Sequence, residues 1–269
     1  MTKKPRIAKL GPLATRADRH TLYQIAVQDP EPEIRFVQRV FKRTRGRAAA
    51  SFKEDFCATA HLATAWVKGH RSRTAIGVDF SHEVLAWGRE HVLAPEPQHV
   101  RDRVTLVLAN VLDVVAPKVD VVGAFNFSYL IFKQRAQLIA YFKSAYESLN
   151  RDGLFYCDLF GGTDAIVPIV EPRRCRTGFT YVWEHESYNP ITNEILCHIH
   201  FKFRDGSEWK KAFTYDWRLW TIPEVRECLL EAGFKDTQVW WDPVDETDYR
   251  LTEKEGNQLG WLVYIVGVK

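Results

Sequence analysis

Glu54-Asp55-Phe56-Cys57-Ala58-Thr59-Ala60-His61, with Ile76-Gly77-Val78-Asp79 behind it, is the stretch on which the fold turns. Ala48–Phe56 reads as a strand, and residues 59–69 read as a helix with Leu62 and Trp66 on one face. Between them lies a turn of small residues. Backbone N–H groups in such a turn can approach an anionic ligand and share the positive end of the helix dipole. Residues 75–78 form a short, wholly apolar strand that ends in Asp79, 22 residues beyond Cys57. An acid at that place can accept hydrogen bonds from both hydroxyls of a ribose. Strand, turn, helix, strand and acid together predict a sheet that binds a nucleoside at its C-terminal rim.

The same alternation extends in both directions. Asp29-Pro30 is an N-cap followed by proline at the first helical position, and Ile34, Val37 and Phe41 then recur at helical spacing over 30–44. Ser81 can cap a helix that turns Val84, Leu85, Gly88 and Val92 inward. Strands are expected at 104–108 and 119–124, then a helix over 133–149 carrying Leu138, Phe142, Ala145 and Leu149 on one stripe. Asp152-Gly153 is read as a turn into a fifth strand, 154–159. Continuous apolar runs separated by helices predict parallel strands buried on both faces. After Gly162 the rhythm changes. Residues 179–187, 194–204 and 208–217 alternate as antiparallel strands, joined by Asn189-Pro190 and by the hairpin signal Asp205-Gly206. Thr221 and Glu224 form a capping box for a helix over 222–232, Gly233 ends it, and strands follow at 237–241 and 261–268. The expected architecture is α/β: a Rossmann-like open sheet with a three-stranded antiparallel insert over 175–218, behind a helical N-terminal segment over 1–45.

Composition narrows the classes of function. The 269 residues are 46% apolar and 26% charged, which is ordinary globular composition. The net charge is +3, and the basic group Arg39, Lys42, Arg43, Arg45 and Arg47 reads as the solvated face of a helix. A nucleic-acid partner is not expected, because interleaved aromatics and a longer basic face are missing. A membrane span is not expected either: Trp261–Val268 is far shorter than the ~20 residues required. Met1–Arg6 has no apolar segment behind its charges, so a secretory signal is not expected and the location is read as cytoplasmic. None of the five cysteines forms a C-x-x-C pair, which argues against a disulfide framework or a thiolate zinc site. His198 and His200 lie two apart on a strand and face the same way, but sequence places no third ligand, so no metal is expected.

The remaining strand ends carry Asn110-Val111-Leu112-Asp113 and Phe125-Asn126-Phe127-Ser128-Tyr129. With these the chain resembles the class I S-adenosylmethionine-dependent methyltransferases from about residue 20 onward. Glu54–Ala60 resembles the first motif of that family, under the methionine part of the cofactor. Ile76–Asp79 resembles the ribose motif, Ala109–Asp113 the adenine motif, and Asn126–Tyr129 the motif facing the sulfonium. Arg218–Arg226 through Phe234 resembles the last helix and the turn after it. The resemblance implies a seven-stranded sheet whose final strand runs antiparallel, and S-adenosyl-L-methionine as cofactor. It implies cofactor contacts from Tyr23 and Gln28 in the N-terminal segment, from Glu54, Asp55, Phe56, Cys57, Ala58 and Thr59, from Asp79 and Phe80, from Asn110, Val111 and Leu112, and from Asn126, Phe127 and Ser128.

Two departures stand out. The usual glycines of the first motif are Ala58 and Ala60 here, and alanine resists φ > 0. The usual adenine-site aspartate is Asn110, whose carbonyl oxygen can still accept from an exocyclic amine. The expected reaction is methyl transfer to N or O of a small-molecule acceptor. The insert is read as its cover, similar to that of glycine-type N-methyltransferases. The aromatic group Trp183, Tyr188, Tyr215, Trp217 and Trp220 either packs the insert or walls the acceptor pocket. Tyr129, Trp183, Tyr215, Arg218 and Trp220 are taken as acceptor contacts, and Tyr129 and His185 as candidate bases. Binding of the cofactor without catalysis stays open. A nicotinamide-dependent oxidoreductase is disfavoured by the lack of G-x-G-x-x-G, and a nucleic-acid base methyltransferase by the lack of both prolines of N-P-P-Y. A homo-oligomer is compatible with the sequence.

Overall fold

The computed structural model describes residues 11–242 and 248–269. The Met1–Arg6 stretch lies outside them. Three helices come first: α1 (Leu13–Arg16), α2 (Arg19–Val27) and α3 (Pro30–Arg45). Then follow β1 (Ser51–Asp55), α4 (His61–Lys68), β2 (Thr74–Asp79), α5 (His82–Gly88), α6 (Gln98–Arg101), β3 (Val104–Leu108) and β4 (Val119–Ala124). Next come α7 (Arg135–Ser148), β5 (Leu149–Gly161), β6 (Ile169–Arg174), β7 (Phe179–Asn189), β8 (Glu194–Phe203) and β9 (Glu208–Arg218). The chain closes with α8 (Ile222–Glu231), β10 (Asp236–Trp241), β11 (Arg250–Leu251) and β12 (Trp261–Val268).

The main sheet has the order β11-β10-β12-β5-β4-β1-β2-β3. Strands β1 to β5 pair in parallel, while β12 runs antiparallel between β5 and β10. The antiparallel last strand is therefore where the resemblance put it. β4 is buried along its whole length, as a central strand covered on both faces must be. One face is filled by Leu138, Tyr141, Phe142 and Ala145 of α7 with Leu229 of α8, and the other by Phe36, Val40 and Phe41 of α3 with Ala63, Trp66 and Val67 of α4.

The insert is a separate antiparallel sheet, β6-β7-β8-β9. It has one strand more than sequence suggested, and β11 likewise adds a short eighth strand to the main sheet. β6 escaped detection because Ile169-Val-Glu-Pro-Arg-Arg174 does not alternate. It is an exposed edge strand, and Pro172 with its charged neighbours is what keeps such an edge from pairing further. Asp152-Gly153 falls inside β5, at a register shift against β4, and does not precede the strand as the sequence suggested.

Candidate functional site: an acidic rim beside an aromatic cavity

The C-terminal ends of β1, β2, β4 and β5 open on one edge of the sheet. The turn after β1 is held in an unusual shape: Phe56, Ala58 and Ala60 have φ of 57°, 48° and 57°. L-residues pay about 1–2 kcal/mol each for that left-handed region. Packing over-determines the turn. Cys57 N donates to Val78 O at 3.0 Å, and Ala60 N donates to Cys57 O at 2.7 Å. Gln24 of α2 donates to Thr59 Oγ1 at 2.7 Å. The room for the turn comes from its neighbours. A Cβ on Gly77 of β2 would meet Cys57 Sγ at 2.9 Å, and one on Gly88 of α5 would meet Thr59 O at 2.5 Å. Glycine has thus moved from the turn to the elements that flank it.

Carboxylates without bases surround this edge. Glu54 is buried at the end of β1 and accepts from Ala63 N of α4 at 2.9 Å. Burial pushes its pKa well up, and Glu33, Asp79 and Asp55 push the same way. Asp158 of β5 accepts from Asn126 N at 2.7 Å and Phe127 N at 2.8 Å, so one buried carboxylate fixes two successive left-handed residues, φ 55° and 59°. Its pKa is raised to about 7 by burial, against those backbone bonds. Glu33, in the first turn of α3, accepts from Tyr264 Oη at 2.8 Å; burial and then Asp158 raise it to about 8. Among the described residues, Glu33, Glu54, Asp79 and Asp158 take part in no ion pair. A cationic ligand would draw these acids towards their ionised forms and be held by them, whereas a pyrophosphate would gain nothing from them.

Next to Asn126 and Phe127 lies a cavity of about 160 Å³. Its wall is Tyr23 and Val27 of α2, Phe127, Phe160 of β5, and the inner face of the insert: Tyr181, Trp183, Ile199, Tyr215 and Trp217. Tyr215 and Trp217 have ring centroids 4.4 Å apart, and Phe127 meets Phe160 edge-on at 4.8 Å. No charged side chain lines it.

No known protein-family model matches the chain, and no curated protein is similar to it in sequence. Solved structures are similar to it in shape. A S-adenosylmethionine-dependent methyltransferase from Clostridium acetobutylicum ATCC 824 is 15% identical with a TM-score of 0.67, over 93% of this chain and 96% of that one. The sugar N-methyltransferase KedS8 from Streptoalloteichus sp. ATCC 53650 is 17% identical with a TM-score of 0.65, over 100% and 98%. CalS10, an amino pentose methyltransferase from Micromonospora echinaspora solved with SAM bound, is 12% identical with a TM-score of 0.65, over 93% and 96%. The chain has the S-adenosylmethionine-dependent methyltransferase fold.

Within that fold the residues singled out by sequence fall into three groups. The first stays on the rim. Asp79 Oδ2 accepts from Ala58 N at 2.9 Å and Oδ1 from Ser81 N at 2.8 Å, so it braces the turn as well as ending β2. Phe80 is 73% exposed and Leu108, the register partner of Asp79 at the end of β3, 49% exposed, two open apolar side chains beside the place where the resemblance puts the adenine. Asn110 Oδ1 accepts from Leu112 N at 3.0 Å, an Asx-type turn that leaves the Asn110 amide group as the free donor. Val111 is buried, while Leu112 packs partly against the core. Ser128 Oγ donates to Phe125 O at 2.7 Å and closes the turn after β4. Gln28 Oε1 is buried with no partner.

The second group forms the cavity: Tyr23, Asn126, Phe127, Trp183 and Tyr215. Sequence missed Val27, Tyr181, Ile199 and Phe160. The signal for Tyr181 and Ile199 was there, since alternation along β7 and β8 puts them on the same face as Trp183.

The third group is corrected. Asp55 turns its carboxylate into the core, 3.1 Å from Lys53 Nζ and 3.1 Å from Tyr141 Oη. The Phe56 ring packs against Tyr141, 5.5 Å between centroids. Cys57 is not among these corrections: its thiol, pushed up by burial, is a filler inside the turn. Tyr129 is wholly buried below the turn, its hydroxyl unpartnered and its pKa driven up by burial, which removes it as base and as pocket residue. His185 is buried with Nε2 3.1 Å from Ser187 O, a pairing that needs the hydrogen on Nε2. Burial lowers its pKa, and it does not line the cavity. Arg218 stacks 3.7 Å over Trp220 and pairs with Glu224 at 2.9 Å. Trp220 is itself buried, with Nε1 donating to Phe132 O at 3.2 Å. These two secure the entry to α8.

Proposed function

We propose that this protein transfers a methyl group from S-adenosyl-L-methionine to a small-molecule nucleophile held in the aromatic cavity, nitrogen being the favoured acceptor atom over oxygen. The observation that carries the reading is the pairing of a base-free acidic rim with an adjoining aromatic cavity. A sulfonium with an α-ammonium group is the kind of cation those carboxylates suit, and the anionic pyrophosphate of a nicotinamide dinucleotide is not. The structural neighbours support the same reading: CalS10 was solved with SAM bound, and KedS8 is a sugar N-methyltransferase.

In this reading Asp79 holds the ribose, the left-handed turn 56–60 presents its backbone to the methionyl part, and Phe80 and Leu108 meet the adenine. Asn110 donates to the base through its amide, Gln28 gives its unpartnered carbonyl to the methionyl end, and residues 19–45 act as the cover. Bound S-adenosyl-L-methionine would supply the methyl group to the acceptor nitrogen's lone pair, and the aromatic faces of the cavity would stabilise positive charge on either side of the transfer. Alignment of the lone pair with the methyl supplies most of the rate. An oxygen acceptor would require a base at the cavity, and burial drives Tyr23, Tyr181 and Tyr215 away from that role. Tyr23, Trp183 and Tyr215 are acceptor contacts; Tyr129, Arg218 and Trp220 are not.

Among the described residues no helix is long and apolar enough to cross a membrane. All five cysteines are buried free thiols, in keeping with a reducing compartment, and a cytoplasmic location is part of the proposal. The test is incubation with S-adenosyl-L-methionine and matched amine and phenol libraries, reading S-adenosylhomocysteine. Turnover with amines alone is expected. Cofactor binding without turnover on either library would leave a binding protein; absence of binding would end the proposal.

A further inference from the structure

The insert sheet has a second face, turned away from the cavity, and there β7 and β8 gather a cluster the methyl-transfer reading does not use. Glu184 and His198 are direct cross-strand partners. A bulge between His185 and Ser187 takes Glu186 out of the ladder and swings its carboxylate to 2.7 Å from His198 Nε2. A second register shift, between Ile199 and Phe201 against β9, brings in Lys211 at φ 49°, whose Nζ lies 2.7 Å from the same Glu186 oxygen. Two bulges converging on one spot re-aim side chains that a regular ladder would keep apart. One donor atom each from Glu184, Glu186 and His198 lies within 4.8 Å of the other two.

The two histidines differ in what they can offer. His198 is 2% exposed, and its Nδ1 is 2.9 Å from Thr214 Oγ1. Without an ion, Nε2–H donates to Glu186; an ion entering between them would take the Nε2 lone pair in place of that hydrogen, and the Thr214 hydroxyl can then accept from Nδ1–H, the hydrogen-bonded far nitrogen by which ligating histidines are oriented. His200 Nδ1 instead accepts from Lys211 N at 3.1 Å, so in the neutral ring the hydrogen sits on Nε2 and is donated to Glu184 at 2.7 Å. His200 therefore holds Glu184 in place and is not itself a ligand.

We propose that Glu184, Glu186 and His198 form a site for one divalent transition-metal ion on the outer face of the insert, completed by water. One imidazole and two carboxylates are a borderline N/O donor set of the kind Zn²⁺, Co²⁺ and Mn²⁺ accept, and the two carboxylates balance the ion's charge. Lys211 supplies a single positive charge against two negative ones. Its side chain is 53% exposed, so it can move into solvent when an ion enters, since an exposed ion pair is easily given up. The ion would clamp β7 to β8 behind Trp183 and Ile199, which wall the cavity. Its place is therefore structural, stiffening the acceptor side of the site, with no part in the transfer itself.

The full chain, stripped with chelator, is titrated with Co²⁺ at pH 7.5 while the visible d–d absorption and the binding heat are followed. The wild-type protein is expected to bind one equivalent more than Glu184→Gln/Glu186→Gln, with a d–d spectrum the double variant lacks. Lys211→Ala is expected to bind that equivalent several-fold more tightly, because its ammonium competes for Glu186. Glu186→Gln alone, at the most exposed ligand position, gives the same comparison should the double variant fold poorly. Equal stoichiometry and spectra in wild type and Gln variants would overturn the site, as would Lys211→Ala binding no more tightly than wild type.

Discussion

Replacing Ala58 by glycine should stabilise this protein, although Ala→Gly changes usually do the reverse. Ala58 sits at φ 48° in the turn after β1 and is only part-buried. Releasing a Cβ from the left-handed region returns about 1–2 kcal/mol, and the greater freedom of unfolded glycine takes back about 0.5–1. The balance is a gain of about 0.5–1 kcal/mol. Ala60 has nearly the same φ, 57°, but is 1% exposed. Its methyl group is worth about 0.8 kcal/mol in burial, so Ala60→Gly should come out near zero. Ala65 lies inside α4 and is the control, where glycine should cost about 0.5–1 kcal/mol. Urea unfolding with a common m-value separates the three, and the melting temperature of Ala58→Gly should rise by about 1–4 °C. Should Ala58→Gly destabilise the protein as Ala65→Gly does, the turn is not strained and the account of how alanine replaces the motif glycines fails.

Other outcomes follow from the same geometry. Asp79→Ala should weaken S-adenosyl-L-methionine binding in calorimetry by about 1.5–3 kcal/mol, and should also lower stability, since Ala58 N and Ser81 N lose their acceptor. Unchanged affinity in a folded variant would reject the ribose assignment. Asp158 and Glu33 have raised pKa values, about 7 and about 8, so they favour the folded state fully below the unfolded carboxylate range and lose that contribution as pH rises to 7 and 8. Without cofactor, stability should fall from about pH 5 to 8, and the fall should flatten in Asp158→Asn. If the cofactor's cation lies among these acids, its binding should tighten over the same interval, read by calorimetry at pH 6 and 8. Arg218→Ala should cost about 1–2 kcal/mol of stability through the lost stacking on Trp220 and the pair with Glu224, and leave the acceptor KM unchanged; a raised KM would restore Arg218 to the pocket. Trp183→Leu should raise the amine KM about tenfold, with cofactor affinity held, as expected for a lost cation–π face of about 1–1.5 kcal/mol.

The parallel sheet and its helices were legible in the chain, because burial on both faces writes itself as apolar runs and caps write themselves as Asp29-Pro30, Ser81 and Thr221 with Glu224, while the antiparallel sense of the last strand came only with the family resemblance. The acid at the end of β2 and the small-residue turn were legible by spacing alone. Local sequence carries these features because each depends on neighbours a few positions away. What it could not carry were choices made between distant segments. Gly77 and Gly88 make room for a turn that has no glycine of its own, and Glu33 and Asp158 come together from distant parts of the chain. Tyr129, Arg218 and Trp220 have the chemistry of a pocket residue, yet packing turns Tyr129 and Trp220 into the core and holds Arg218 against Trp220 and Glu224. A side chain's type is set by the chain, but the direction it faces is set by whatever packs against it, and only the tertiary structure decides that.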